Sequence, residues 1–404
     1  MKYWRASFAI AAAAALTVSQ SGTASVPSST DTAWCQEAGG PSHLGVAVGE
    51  HTISASNVSR LKLRWRYDVP GRPTRGISNP TVAGGRVYVA VGAQLIGLNA
   101  LTGKPIWSIK LPAEQYGTPS VAAGKVIVGL ANGDVRAVDA STGRLVWNRR
   151  IGGVYVSAPT IDGSHAFVEN DKGLLVSLDV RNGAILWTFH AALDGGQPAV
   201  GGGSVFAVVA LPFDQKAGAQ FYGAVAVDKV TGKRKWGGHE GLYAAARQIS
   251  VMSGHLVVMD SANYLTGINA STGALEWRRA VGPAVSPGSS GGGGCGPAIS
   301  GGFVFAAEAP GFGGYDIGSY SATTGKPKWI IHNRLCNQGS IVFANGVVFI
   351  PWANELRALD PSSGRTLFTR GVGGAVVGQA VVTGRLVATV QLDNGQMSVQ
   401  LYGV

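Results

Sequence analysis

The residues of this chain that could do chemistry are mostly amides, and they recur at one register. Eight apolar residues, Val82, Val121, Ile161, Val200, Val251, Ile299, Ile341 and Val382, each end a short, similar run. Three places before them stand Asn79, Thr118, Ala158, Gln197, Gln248, Gly296, Gln338 and Gln379. One place further back stand Ser78, Gly117, Ser157, Gly196, Arg247, Cys295, Asn337 and Gly378. Five of the eight runs thus bring an amide to the same position, and Arg247 is the one formal charge in either set. A side-chain amide both donates and accepts, so a ring of them can hold a small polar ligand. With Arg247 beside them the ligand would be anionic. The candidate set is Asn79, Gln197, Arg247, Gln248, Asn337, Gln338 and Gln379. The competing expectation is a water-filled channel mouth lined by solvated amides.

Three cysteines are present, Cys35, Cys295 and Cys336. Cys295 and Cys336 fall one position apart in the register of adjacent units, so a Cys295–Cys336 disulfide is expected and Cys35 is left free. Such a bond would constrain the unfolded chain and suits an oxidising compartment. Asp194, Glu308 and Asp316 could serve as a base, but none sits in a recognisable catalytic motif. The seven histidines form no pair with metal-ligand spacing and read as surface or turn residues, so no metal site is expected. No Cys-x-x-Cys-His haem attachment exists, and no Gly-x-Ser-x-Gly stands at a strand–helix turn.

What positions these residues is a repeat. Ala137-Val-Asp-Ala-Ser-Thr-Gly-Arg-Leu-Val-Trp147 shows its form: a small residue, an apolar one, Asp, then Thr-Gly, then Trp. Copies lead to Trp107, Trp147, Trp187, Trp236, Trp277, Trp329 and Phe368, at spacings of 40, 40, 49, 41, 52 and 39 residues. A period near 40 with strand-like flanks indicates a β-propeller or another repeat array. Asp or Asn opens a tight turn, Gly supplies a positive φ, and the strand beyond carries a large ring at a fixed offset. Four short strands can be read in each unit, in the order of an antiparallel meander. Leu61 to Tyr67 is a strand with a Trp, Trp65, but no turn motif before it. The C-terminal stretches Gln379 to Val387 and Met397 to Leu401 have no Trp strand after them. The two halves complement each other, so Trp65 is expected to complete the last unit. The fold expected is all-β: an eight-bladed β-propeller of four-stranded antiparallel blades, closed by the N-terminal strand around Trp65.

The seven copies resemble the tryptophan-docking repeats of the pyrroloquinoline-quinone (PQQ) propellers. That superfamily holds the quinoprotein alcohol dehydrogenases and BamB-like outer-membrane assembly lipoproteins. The resemblance covers roughly Ser54 to Val404 and implies the fold. It leaves function open, because a fold hosts many functions. Dehydrogenases of the superfamily hold the quinone in the funnel with a cation bound by carboxylate and amide side chains, often under two adjacent Cys. This chain has no Cys-Cys pair, and none of its carboxylates matches the family's catalytic residues.

The ends and the composition set the location. Lys2 and Arg5 precede an apolar run, Ala6 to Val18, too short to span a bilayer, and a small-residue site, Gly22-Thr-Ala24. Residues 1–24 read as an export signal, 25–59 as a linker and N-terminal segment that packs on the propeller, and 60–404 as the propeller. Trp34 precedes Cys35, which does not suit lipid attachment. No later stretch is apolar enough to span a membrane, so a soluble periplasmic or secreted protein is expected. The chain has 404 residues, 60 of them Gly, and a net charge of +11. Much of the basic charge, such as Arg149-Arg150, Lys233-Arg234-Lys235 and Arg278-Arg279, lies around the Trp strands. There it can guard exposed sheet edges or meet an anionic surface. No interleaved aromatic–basic track suggests nucleic acid.

One side of the wheel should be uniform, with the Thr-Gly turns and the short turns after each first strand. The other varies, with insertions at Pro212 to Phe221 and Pro310 to Gly318 and a long link from Val281 to Gly294. Variation on one face of a rigid scaffold is where binding lives. The expected function is an exported scaffold that binds a protein, peptide or surface polymer through that face, with no cofactor. The alternative is a dehydrogenase using PQQ with Ca²⁺ to oxidise an alcohol or sugar.

Overall fold

The strand Lys125–Gly129 reads Lys-Val-Ile-Val-Gly, and all but its first residue are buried. It is apolar on both faces because it is covered on both, by the blades on either side. Around it stand Ser120–Ala122, Asp134–Asp139 and Leu145–Arg150, every neighbouring pair antiparallel. In the outer strand, Leu145–Arg150, only Trp147 is fully buried. A register shift between Ala137 and Val138 sets Ala137 opposite Trp147. The structure, a computed structural model, describes residues 33–404 with the exception of 71–77, 116, 194–195, 243, 245, 282–294, 309–314, 334–339, 353 and 377–378.

Seven four-stranded sheets repeat this plan in chain order, and an eighth joins the strand Lys62–Asp68 to the C-terminal strands. The innermost strands touch their neighbours around the ring, from Thr81–Ala83 of blade 1 to Val381–Thr383 of blade 8 and back to blade 1. Blade 8 is closed without a covalent link: Lys62–Asp68 pairs antiparallel with Gln396–Gly403. Trp65 therefore does complete the last blade. A fifth short strand, Ala375–Val376, also pairs with Leu386–Asp393, an addition to the four-stranded plan. The insertion at Pro212 to Phe221 forms a small loop in which Asp214 and Ala219 bridge. Most of the expected link from Val281 to Gly294, and residues 310–314 of the other insertion, lie outside the described residues.

The indoles dock each blade on the next. Nε1 of Trp65, Trp107, Trp147, Trp187, Trp236, Trp277 and Trp329 donates to a turn carbonyl of the following blade, from Ala100 to Pro361, at 2.8 to 3.1 Å. The glycine of that turn must be Gly twice over. At Gly143, φ is +74°, and a Cβ there would meet the Trp107 ring at 2.9 Å. The aspartate closes the turn. Asp139 Oδ1 accepts from the backbone N–H of Ser141 and Thr142 and from both hydroxyls. These bonds hold its pKa down at about 2. Phe368 breaks the pattern for a structural reason. Blade 8 has no Thr-Gly turn, since its third strand ends at Gly403 and its fourth begins at Lys62. Val404 O accepts instead from Arg64 Nη2, at 2.9 Å.

Candidate functional site: the channel and its N-terminal plug

The N-terminal segment does more than pack on the propeller. It runs around the central channel, accepting most of its hydrogen bonds from the innermost strands of successive blades. Trp34 exchanges backbone bonds with Val82 of blade 1, and Val121 of blade 2 donates to Cys35 O. Gln36 then acts as a strand edge: its side-chain amide donates to Ile161 O at 2.9 Å and accepts from Ile161 N at 2.6 Å in blade 3. Val200 of blade 4 donates to Pro41 O, Val251 of blade 5 to Ser42 O, and Ile299 of blade 6 to Leu44 O. Phe343 of blade 7 donates to Gly45 O and accepts from Ala47 N. The acceptor-seeking N–H groups that face the axis are thereby satisfied, as buried backbone requires. Gly45 permits the close approach: its φ is +64°, and a Cβ would lie 3.0 Å from Ile341 O. The segment leaves by the Thr-Gly side, where Asn345 Nδ2 donates to Ile53 O and Arg385 N to Glu50 Oε2.

The amide ring sits against this plug. Asn79 Nδ2 donates to Glu37 Oε1 at 2.8 Å, and its Oδ1 accepts from Gln379 N at 2.6 Å. Gln379 Oε1 in turn accepts from Ala38 N at 3.2 Å. Gln248 Nε2 donates to His43 O at 2.8 Å and to Pro297 O at 3.1 Å. Gln197 Nε2 reaches Thr160 Oγ1 at 3.4 Å. So Asn79 and Gln379 meet directly, Gln248 joins them through the plug, and Gln197 reaches the plug through the Thr160 hydroxyl it shares with His43. Gln379 Nε2 is buried with no partner among the described residues. Arg247 lies in the strand Ala246–Met252, where the register shifts between Ala246 and Gln248; its side chain is not described. Asn337, Gln338 and Cys336 lie outside the described residues, so the expected Cys295–Cys336 bond does too. Cys35 is a free thiol, half-buried, and burial pushes its pKa up.

Two ionisable groups of the plug lie in the channel, and sequence reasoning singled out neither. Glu37 accepts from Asn79 and, through Oε2, from Thr118 Oγ1. Desolvation pushes its pKa up, against the pull of those two bonds. His43, expected to be an ordinary surface or turn histidine, is buried at 2% exposure with φ +51°. Its Nε2 faces Thr160 Oγ1 at 3.1 Å, and burial drives its pKa down to about 4. It is therefore neutral at physiological pH. The available signal was composition: Gln36, Glu37 and His43 stand in a segment that also carries four glycines, Gly39, Gly40, Gly45 and Gly49. Of the candidate bases only Asp316 is described, and it is paired away from the hub. Asp316 is bonded to His332 Nδ1 at 3.0 Å, on the third and outer strands of blade 6. Asp194 and the Glu308 side chain are not described.

A quinone on the axis, with its cation, would need free amides and converging carboxylates. Among the described residues Asn79, Gln248 and Gln379 are bonded to the plug or to one another, and no three His, Cys, Asp or Glu residues could hold a metal ion. The residues described at this level of the channel do not fit a quinone–cation pair.

Comparison with known proteins gives the same architecture. The family described as "Outer membrane protein assembly factor BamB" matches residues 4–152, 117–239 and 222–401. No curated protein sequence matches the chain. Among solved structures, the quinohemoprotein alcohol dehydrogenase from Comamonas testosteroni is 14% identical, with a TM-score of 0.71 over 92% of this chain and 80% of that one. BamB from Moraxella catarrhalis is 16% identical, with a TM-score of 0.61 over 85% of this chain and 98% of that one. At such identities the likeness speaks for fold, and it extends to an alcohol dehydrogenase and to BamB alike. The match along nearly the whole chain, with the repeats and the eight blades, places this protein in the PQQ-repeat propeller family described as outer membrane protein assembly factor BamB.

Proposed function

We propose that this chain is an exported propeller scaffold that binds a protein, peptide or surface polymer through the face carrying its variable loops. One observation carries the reading: at the hub of the wheel the chain's own residues 34–47 run from blade to blade against the innermost strands. Among the described residues, Asn79, Gln248 and Gln379 make hydrogen bonds with that segment or with one another. The chain's surface for recognition is then the rim and loops of the variable face, including the exposed Phe213 on the blade 4 insertion. The family description, an outer membrane assembly factor, and the BamB structure from Moraxella catarrhalis support a protein partner in an exported setting. Residues 1–24, which carry the expected export signal, lie outside the described residues.

The test separates this reading from the dehydrogenase alternative. Purified protein is incubated with PQQ and Ca²⁺, passed through a desalting column, and assayed for quinone absorbance and dye-linked oxidation of alcohols and sugars. No retained quinone and no turnover is the expected result. Retention with turnover would overturn the proposal. A photo-crosslinker placed at Phe213 should then capture a discrete partner, and one placed at Ser141, on the Thr-Gly side, should not.

A further inference from the structure

We infer that the Thr-Gly face of the wheel is a docking surface for an anionic lipid bilayer. The residue after the turn glycine is Lys104, Arg144, Lys233, Lys326 and Arg365 in five of the seven Thr-Gly turns. All five are exposed. Because every blade has the same orientation and each turn docks under the preceding blade's Trp, these five positions lie on one rim of the ring. Three of the same turns also carry an ionised aspartate, which offsets part of that charge. Asp139, Asp228 and Asp360 fold back onto the N–H groups of their own turns, while the cations project.

Edge protection does not account for this ring. Guarding a sheet edge calls for cations along the outer strand, as with Arg149 and Arg150. At the turn itself the chain is reversing and offers no ladder to a foreign strand. A bilayer rather than a soluble polymer is indicated by a second feature of the same face. Leu101 is 80% exposed and Val230 68%, both at the same position of their Thr-Gly turns. Val48, 62% exposed, stands where the N-terminal segment emerges beside the turns of blades 7 and 8. Aliphatic tips among cations suit the boundary of headgroup and acyl chain, whereas a dissolved polyanion gives them nothing to enter. Each basic residue near an anionic leaflet adds about fivefold to partitioning, an effect that salt screens.

Flotation of the full chain with phosphatidylcholine vesicles, with and without phosphatidylglycerol, tests the inference. Binding should require phosphatidylglycerol and fall with salt. The triple variant Lys104→Glu, Arg144→Glu, Lys326→Glu should bind at least about a hundredfold more weakly, on the per-charge factor above. A charge-matched control on the opposite side, Arg150→Glu, Lys172→Glu, Lys216→Glu, should keep most of the binding. Leu101→Ser with Val230→Ser leaves the charge intact and should weaken binding severalfold, which keeps the test open if the triple variant fails its circular-dichroism melt. Equal loss in the control would reduce the effect to net charge and overturn the inference. So would binding of heparin with no binding of vesicles, or vesicle binding indifferent to phosphatidylglycerol.

Discussion

Acidification should weaken this protein chiefly through one buried histidine, with His165 acting in the same sense, and the size of the main effect follows from where the plug places it. His43 is 2% exposed, with Thr160 Oγ1 at 3.1 Å as its side-chain partner. Its pKa is held at about 4, against an ordinary 6.5. The unfolded chain therefore takes up the proton first. Stability is lost as the pH falls below 6.5, and the loss is complete once the pH passes about 4. At about 1.4 kcal/mol per pH unit, that gap is worth roughly 3 kcal/mol. Glu37 acts in the opposite sense. Its carboxyl is raised above 4.5, so in the window just above that value the folded state holds the proton more tightly, and acidification favours the fold. The measurement is guanidinium unfolding across the range from neutral to about pH 4, in a Glu37→Gln background that removes the offset. His43→Asn is the informative variant, because φ at this position is +51° and Asn tolerates the left-handed region. The variant should be weaker at neutral pH, by about 1 kcal/mol for the lost contact, and should lose far less on acidification. If His43→Asn retained the full acid-induced loss, the account of a buried, neutral His43 would be refuted.

Three further outcomes follow from the packing. Trp147→Phe should destabilise by about 1–2 kcal/mol, by orphaning the Val180 carbonyl; Phe368→Trp should yield no matching gain, since Arg64 already takes Val404 O. Thermal unfolding of both variants checks the pair. Gly143→Ala should cost at least about 1–2 kcal/mol, because φ is +74° and the added carbon would press on Trp107 at 2.9 Å; near-wild-type melting would contradict it. Gln36→Ala should cost about 2–3 kcal/mol by breaking both bonds to Ile161. Hydrogen exchange should then show the Ile161 amide losing protection while the outer strands keep theirs.

Asp139, Thr142, Gly143 and Trp147 determined the wheel from sequence alone, and the reason is physical. A blade is built from contacts within some forty residues, so turn chemistry, alternation and the indole offset all report on the same local unit. The split blade was legible for the same reason: Trp65 lacked a turn before it, and the C-terminal strands lacked a Trp after them. Even Phe368 stood out as the odd copy, although its cause, a seam without a Thr-Gly turn, required the closed ring to be seen. The hub was different. Register arithmetic brought Asn79, Gln248 and Gln379 to the channel, where they lie, but it could not say what they would meet. Their partners come from the N-terminal segment, across 341 residues from Ala38 to Gln379 and 205 from His43 to Gln248. Those contacts are largely backbone bonds, which any residue can make and which leave no periodic pattern in a sequence. The tertiary structure alone decided that Asn79, Gln248 and Gln379 meet the chain's own plug or one another, that Glu37 and His43 share the channel, and that residues 34–47 run around the hub from blade to blade.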